Sequence, residues 1–241
     1  MWLFRKKQTL AESGFFRGFV DWHSHILPGV DDGVETLEEA LQILAAYEQF
    51  GVKDVWLTPH IMEDIPNTTA RLRERFAELQ AAYPGNITLH LAAENMLDNL
   101  FEERLAKNDL LPMGDNSDHL LVETSYFNPP MGLQNILMRI KAKGYYPILA
   151  HPERYVYMEE AEYHRLKAMG VKFQLNLPSL AKMYTADAGK KAGWLLKNGL
   201  YDFVGSDLHR LSIWEEKVFS KQIPENTLRM LRDIPAAHLP E

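Results

Sequence analysis

Seven short apolar runs punctuate this 241-residue chain, and segments of helical period separate them. The runs cover residues 19–22, 52–57, 87–93, 120–122, 147–150, 171–175 and 202–204. Each reads as a buried strand by its length, its β-branched content and the turn residues nearby. Between them the pattern predicts helices. Residues 36–50 carry apolar side chains at Leu37, Ala40, Leu41, Leu44 and Tyr47 and end at Gly51, as a helix closed by a C′ glycine does. Residues 68–83 follow Asn67 as a cap and stop at Pro84-Gly85, while 133–143, 160–169 and 187–198 close at Gly144, Gly170 and Gly199. Alternation of strand and helix predicts parallel pairing. Seven strands are one short of an eightfold barrel, so the expected fold is α/β, a smaller or distorted (β/α)7 barrel. An open doubly wound sheet is the alternative.

Neither a low-complexity linker nor an internal repeat divides the chain, so residues 1–241 are expected to form a single domain. Residues 1–18 are expected to be a loosely held segment, with Trp2-Leu3-Phe4-Arg5-Lys6-Lys7 read as a frayed tail rather than a membrane-grazing one. No signal-peptide core and no run of about 20 apolar residues is present, which points to a cytoplasmic protein without stable membrane insertion. The net charge of −7 argues against nucleic acid or an anionic membrane as partner. Cysteine is absent. Thiolate nucleophiles and disulfides are therefore excluded, and any metal must be held by imidazole and carboxylate.

The residues that can do so fall just after the predicted strands. His23 and His25 follow the first, and His60 follows the second in Leu57-Thr58-Pro59-His60. Glu94 follows the third, Glu123 the fourth, and His151 the fifth in His151-Pro152-Glu153-Arg154. Asp207 and His209 follow the seventh, whereas the sixth ends in Gln174-Leu175-Asn176 and offers no strong ligand. In a parallel barrel the C-terminal strand ends open on one face, so these scattered residues would converge there. His-Ser-His and Asp-Leu-His each put two ligands on one side of an extended segment. The other histidines, His90, His119, His164 and His238, lack such context and read as structural. Five imidazoles with four or more carboxylates exceed what one tetrahedral zinc needs, which suggests two or three divalent ions bridged by carboxylate. Ligation by nitrogen and oxygen suits Mn, Fe, Zn or Mg. Such centres activate water and clamp both ends of a displacement at phosphorus, so the expected chemistry is phosphoester hydrolysis.

The segment Asp21-Trp22-His23-Ser24-His25-Ile26-Leu27-Pro28-Gly29-Val30-Asp31-Asp32-Gly33 resembles the opening motif of the PHP (polymerase and histidinol phosphatase) superfamily. The likeness is to its capsule-biosynthesis protein-tyrosine phosphatases, the CpsB/YwqE type. Thr58-Pro59-His60, His151-Pro152-Glu153-Arg154 and Ser206-Asp207-Leu208-His209 follow in the family's order, so that the resemblance covers roughly residues 20–215. It implies a PHP-type barrel and three metals, with manganese foremost. The first would be held by His23, His25, Glu94 and Asp207. The second would share Glu94 and add Glu123 and His151, and the third would take Asp32, His60 and His209. A metal-bound hydroxide would attack phosphorus. Arg154 would bind the phosphoryl oxygens, a role that suits the two-pronged guanidinium. Arg154, Asp207 and His209 are thus the expected catalytic residues.

Asp31 competes with Asp32 for the metal, and Glu153 is a candidate to orient His151 or Arg154. Asp98 is either a further site residue or the cap of a helix over 99–107. The family's second arginine has no counterpart here, since Trp214 stands near its position; Arg210, next to His209, is the candidate substitute for phosphate binding. Tyr126, Phe127, Tyr155 and Tyr157 are aromatics that would flank a phenolic ring or simply pack the rim. The implied activity is dephosphorylation of a phosphotyrosine protein, the tail of a bacterial tyrosine kinase of capsule or exopolysaccharide synthesis. The alternatives are a small-molecule phosphatase, such as one acting on histidinol phosphate, and a non-catalytic metal-binding module. Oligomeric state leaves no mark in the sequence.

Overall fold

The structure is a computed structural model describing residues 7–238 except Lys182, and excepting also the side chains of Lys7 and Lys217. In chain order the elements are β1 (Lys7–Thr9), β2 (Val20–Ser24), α1 (Leu37–Phe50), β3 (Asp54–Leu57), β4 (His60–Ile61), α2 (Thr69–Ala82), β5 (Thr88–Leu91) and β6 (Glu94–Met96). They continue with α3 (Asn99–Lys107), β7 (His119–Glu123), α4 (Leu133–Ala142), β8 (Tyr146–Ala150), α5 (Glu160–Ala168), β9 (Lys172–Asn176) and α6 (Leu177–Leu180). The last are α7 (Ala186–Lys197), β10 (Phe203–Gly205), α8 (Leu211–Trp214), β11 (Gln222–Pro224) and α9 (Glu225–Arg232).

All the expected strands form and pair in parallel, but the second and third are each broken in two. The halves β3 and β5 join β2 in one sheet, in the order β2-β3-β5. The halves β4 and β6 join the other, in the order β10-β9-β8-β7-β6-β4. The break after β3 falls at Thr58-Pro59, where proline has no N–H to give the ladder. Two seams join the sheets into one curled layer. At one, the Glu94 amide donates to the Pro59 carbonyl at 3.1 Å. At the other, Ser24 and Leu208 form a parallel bridge, and the amides of Asp207 and His25 donate to the carbonyls of His23 and Leu208. The curl thus brings the first and last parallel strands together, which an open sheet would not do.

Period-two alternation then separates two environments. Leu120, Val122, Leu149, Phe173 and Leu175 pack outward in the large apolar cluster shared with the helices. Leu121, Ile148, Phe203, Trp56 and Val20 form a second, smaller cluster on the other face. Two residues further along β7, that face presents Glu123 instead of leucine. The inner lining therefore turns from apolar to polar toward the C-terminal strand ends. Gly205 allows the closest approach, because a Cβ there would stand 2.4 Å from the His23 Cβ and 2.6 Å from Gln174 Nε2.

Three expectations need correction. Residues 7–18 are not loose: β1 pairs antiparallel with β11, and Leu10, Phe15 and Phe16 are buried. Phe16 packs against Phe19, Phe50, Trp214 and Phe219 with centroids 5.2–6.1 Å away, so apolar burial anchors the segment. The frayed tail read in residues 2–6 lies outside the described residues. The cap of α2 is Thr68, whose hydroxyl accepts from the Arg71 amide. Asn67 instead spans the loop, donating to the carbonyls of Val30 and His60. Finally, Tyr155 is no rim aromatic but fully buried, its hydroxyl donating to the Ala150 carbonyl at 2.9 Å. No described helix is long and apolar enough to cross a membrane.

Truncating a buried aromatic typically costs about 3–5 kcal/mol. Phe16→Ala should therefore lower unfolding stability by about 3 kcal/mol or more in denaturant titration. A loss below about 1 kcal/mol would return the N-terminal segment to a loose role.

Candidate active site

The polar lining gathers the residues that the sequence scattered. His23 Nε2 and His25 Nε2 lie 3.0 Å apart, and both face Glu94 Oε2, at 3.1 and 3.3 Å, and Asp207 Oδ1, at 3.5 and 3.4 Å. Their other nitrogens are committed. His23 Nδ1 donates to Gln174 Oε1 at 2.9 Å and His25 Nδ1 to Asp31 Oδ2 at 2.7 Å. Both outer partners are acceptors, so in the neutral form of each ring the proton belongs on Nδ1 and the Nε2 lone pair is the one turned inward. His209 follows the same rule, with Nδ1 on the Asp207 carbonyl and Nε2 3.5 Å from Asp32 Oδ1. His151 Nε2 lies 2.9 Å from Glu94 Oε1. His60 Nδ1 faces Glu94 and Glu123 at 3.2 and 3.1 Å, while its Nε2 lies 3.7 Å from Asp32.

Four overlapping groups of donors close enough to hold a cation result. They are His23–His25–Asp207, His23–Glu94–His151, His60–Glu94–Glu123 and His25–Asp32–His60–His209. All nine expected ligands are brought together, although His60 sits between two groups rather than in the third alone. Buried atoms at this junction, His60 Nδ1 and Glu123 Oε1, have no hydrogen-bond partner. Inward lone pairs, buried carboxylates and orphaned acceptors all fit divalent cations, which would satisfy every one of them.

The electrostatics point the same way. Burial opposes charge on His23, yet the Glu94 and Asp207 carboxylates overcome it and push it up to about 10. His25, His60 and His209 are raised too, against burial, by the carboxylates they face. Burial would lift Glu94, but His23 and His60 hold it well below the usual carboxylate range. The pocket therefore favours positive charge wherever its acids meet its imidazoles.

The two neighbouring aspartates divide their work. Asp31 is tied to His25, and its carboxylate also accepts from the amides of Gly33 and His60 at 3.0 Å. Asp32, with a side chain 66% exposed, faces His60 and His209 from the cavity mouth. Gly33 stands where a Cβ would fall 2.3 Å from the His25 carbonyl, so the loop needs glycine for close approach. Asp98 caps α3, accepting from the Phe101 amide, and its other oxygen accepts from Glu63. Glu153 is buried, but its oxygens accept from the Asn176 amide and the Tyr201 hydroxyl rather than holding His151 or Arg154.

A cavity of about 360 Å³ opens onto the cluster, which forms part of its wall together with Tyr126, Arg154, Met183, Tyr184, Arg210 and Ile213. Arg154 Nη1 donates to Asp207 Oδ2 at 2.9 Å. The same oxygen accepts from Asn176 Nδ2 at 2.6 Å and the Tyr184 hydroxyl at 3.1 Å. Arg210 reaches the cavity, though its Nη2 lies 3.6 Å from exposed Glu35. Trp214, near the place of the family's second arginine, is a core residue whose Nε1 donates to the Ser206 carbonyl. Phe127 is exposed, while Tyr157 hydrogen-bonds Thr124 and lines a groove outside this cavity. The four remaining histidines lie elsewhere. His90 meets Asp54, His119 meets Asp118, His164 packs on Trp194 and His238 donates to Phe15.

The sequence reading missed Gln174, Asn176 and Tyr184. A signal existed for the first two, since amides two apart inside a buried strand must find polar partners. None marked Tyr184.

Against known proteins, residues 19–218 match the family described as capsular polysaccharide synthesis, CpsB/CapC, and the chain belongs to it. The tyrosine-protein phosphatase CpsB of Streptococcus pneumoniae is 32% identical over 209 residues, covering 80% of this chain and 83% of that protein. The tyrosine-protein phosphatase YwqE of Bacillus subtilis is 28% identical over 235 residues, covering 89% and 92%. Crystal structures of YwqE and CpsB, described as unique metal-dependent tyrosine phosphatases, share the fold. The match has a TM-score of 0.73 at 24% identity and covers 92% of this chain and 100% of that one.

Removing Asp31 strips an acceptor from the His25 ring and from two amides, each unsatisfied donor costing about 1–3 kcal/mol. Asp98→Ala removes a helix cap, worth about 1 kcal/mol, and the acceptor of an exposed Glu63 amide that water can replace. Denaturant unfolding should thus rank Asp31→Ala as the more damaging by at least about 1 kcal/mol. The reverse order would mean that the His25 tether is not structural.

Proposed function

We propose that this chain is a metal-dependent protein-tyrosine phosphatase that removes phosphate from a phosphotyrosine protein of capsule or exopolysaccharide synthesis, its substrate being the tail of a tyrosine kinase. The observation that carries the reading is the buried set of imidazoles with fixed inward lone pairs beside an arginine-bearing cavity. The relatives' names as tyrosine phosphatases support the substrate class. In this reading the curled sheet is a distorted (β/α)7 barrel of PHP type with its site at the C-terminal strand ends. Two to three ions, manganese foremost, would be held by His23, His25, Asp32, His60, Glu94, Glu123, His151, Asp207 and His209. When bound, they supply an activated water and neutralise charge at phosphorus.

The chain's own residues do the rest. Gln174 and Asp31 fix the tautomers of His23 and His25. Arg154, its Nη1 held by Asp207, turns its remaining donors to the phosphoryl oxygens, where a planar fork fits. Asp207 and His209 serve catalysis from the boundary between cluster and cavity. Arg210 adds a weaker, solvent-screened contact at the rim.

Purified protein should hold more than one divalent ion per chain by elemental analysis, and chelation should abolish hydrolysis of an aryl phosphate. Full activity after confirmed metal loss would sink the reading. His151→Ala or Asp207→Ala should reduce activity by orders of magnitude, while His164→Ala should not. A substrate panel that favoured histidinol phosphate over phosphotyrosine peptides would move the assignment to a small-molecule phosphatase. Arg154→Ala should leave metal content intact yet cut kcat/KM by about a hundredfold, the worth of one transition-state donor. Arg154→Lys should recover only part. Arg210→Ala should weaken inhibition by vanadate, but less than Arg154→Ala does.

A further inference from the structure

The guanidinium of Arg154 lies over two phenol rings, 4.3 Å from the Tyr126 centroid and 4.1 Å from that of Tyr184. Both rings are therefore within cation–π reach of the same guanidinium. Tyr184 comes from the loop between α6 and α7, and Tyr126 from the loop after β7. Tyr184 is itself anchored, because Asn176 Nδ2 donates to its hydroxyl at 3.2 Å and that hydroxyl donates to Asp207 Oδ2. Among the described residues, no side-chain acceptor other than Asp207 takes a hydrogen bond from the guanidinium. Its position is therefore set by one hydrogen bond and two aromatic faces.

We propose that Tyr184, with Tyr126, is a positioning residue that clamps the Arg154 guanidinium between phenol rings and aims its free N–H edge into the cavity. Rotation about the Nη1 bond to Asp207 would swing that edge out of line with a phosphoryl group. Flanking rings block the swing, since turning the guanidinium plane would drive it into one ring or the other. The ring faces also attract the cation without consuming a donor, so beyond the one Nη1 bond to Asp207 no hydrogen-bonding capacity is spent on holding the group. A carboxylate clamp would hold the arginine as firmly but would repel the dianion that it must bind. Asn176 extends the device, linking β9 to the clamp through the Tyr184 hydroxyl.

The clamp rests on the phosphatase reading, so its test has one arm that does not need activity. In zinc-loaded protein, the Arg154 Nε–Hε signal, assigned by its disappearance in Arg154→Lys, should be shifted upfield by the two rings. Tyr184→Phe should preserve that shift, whereas Tyr184→Ala should move the signal clearly toward the free-arginine position. An unshifted wild-type signal, or one indifferent to Tyr184→Ala, overturns the clamp.

The kinetic arm uses a phosphotyrosine peptide. Tyr184→Ala should reduce kcat/KM about tenfold and raise the inhibition constant for inorganic phosphate by a similar factor, with metal content unchanged. Tyr184→Phe should stay within about threefold of wild type. In an Arg154→Ala background, Tyr184→Ala should cost less than about twofold, because the residue through which it acts is gone. Additive losses, or a phenylalanine variant as impaired as the alanine one, would overturn the clamp in favour of a direct or hydroxyl-based role. Wild-type protein unable to hydrolyse any aryl phosphate would instead strike the phosphatase reading and leave the resonance arm to decide on the clamp.

Discussion

The carboxylate of Asp207 joins the two halves of this site, and most of the geometry follows from how its oxygens are divided. Oδ1 faces the ring nitrogens of His23, His25 and His209 at 3.4–3.5 Å. Oδ2 is surrounded by donors from Arg154, Asn176 and Tyr184. One side chain thus sets the distance between an imidazole cluster and the arginine of the neighbouring cavity. Its backbone carries the cost, with φ at +50° in a region that non-glycine residues rarely occupy. His151, φ +33°, is the other residue of the cluster so placed. Both stand just beyond a strand end, where the chain must leave the sheet while its side chain stays over the inner face.

That strain persists because the seam beneath it is closed tightly. Asp21 lies fully buried at the junction of β2 with the segment after β10. Its carboxylate accepts from the Ser206 amide, the His23 amide and the Tyr47 hydroxyl. Burial lifts its pKa to about 6, against the opposing pull of those donors. The first residue of the His-motif segment is therefore a latch that holds the two ends of the curled sheet together. It also fixes the strand on which His23 and His25 ride.

Strand existence was legible because run length and turn residues act locally, and the candidate ligands were legible because parallel strands share one C-terminal face. What was lost depends on contacts between distant segments. Pro59 marks the splitting of the second strand, but Ala92-Ala93 carries no such mark, and only the pairing partners reveal the break there. Leu10, Phe15 and Phe16 have no clear period, so the segment read as loose although its burial against Phe219 and Trp214 is complete. Asp31 and Asp32 are chemically identical in sequence. They separate only when the loop turns Asp31 beneath His25 and leaves Asp32 at the mouth. Tyr184 sits in a loop with no motif, and its partners Arg154 and Asp207 are 30 and 23 residues away.

Charge decides how such a site can meet a phosphate at all. Imidazoles that ligate a cation are neutral, so as a ligand set the cluster presents Asp31, Asp32, Glu94, Glu123 and Asp207 against the single well-placed cation of Arg154. A phosphate dianion entering that field would be repelled by the acids that define the pocket. Cations held among those acids would reverse the sign, so that binding of metal and binding of phosphate would favour each other, by linkage to the same extent. Arg154 alone cannot perform the reversal, since one of its donors is already committed to Asp207 and Arg210 is drawn toward Glu35. The aromatic faces around Arg154 therefore have a second consequence: they hold its charge in place without adding another carboxylate to a pocket that already has an excess.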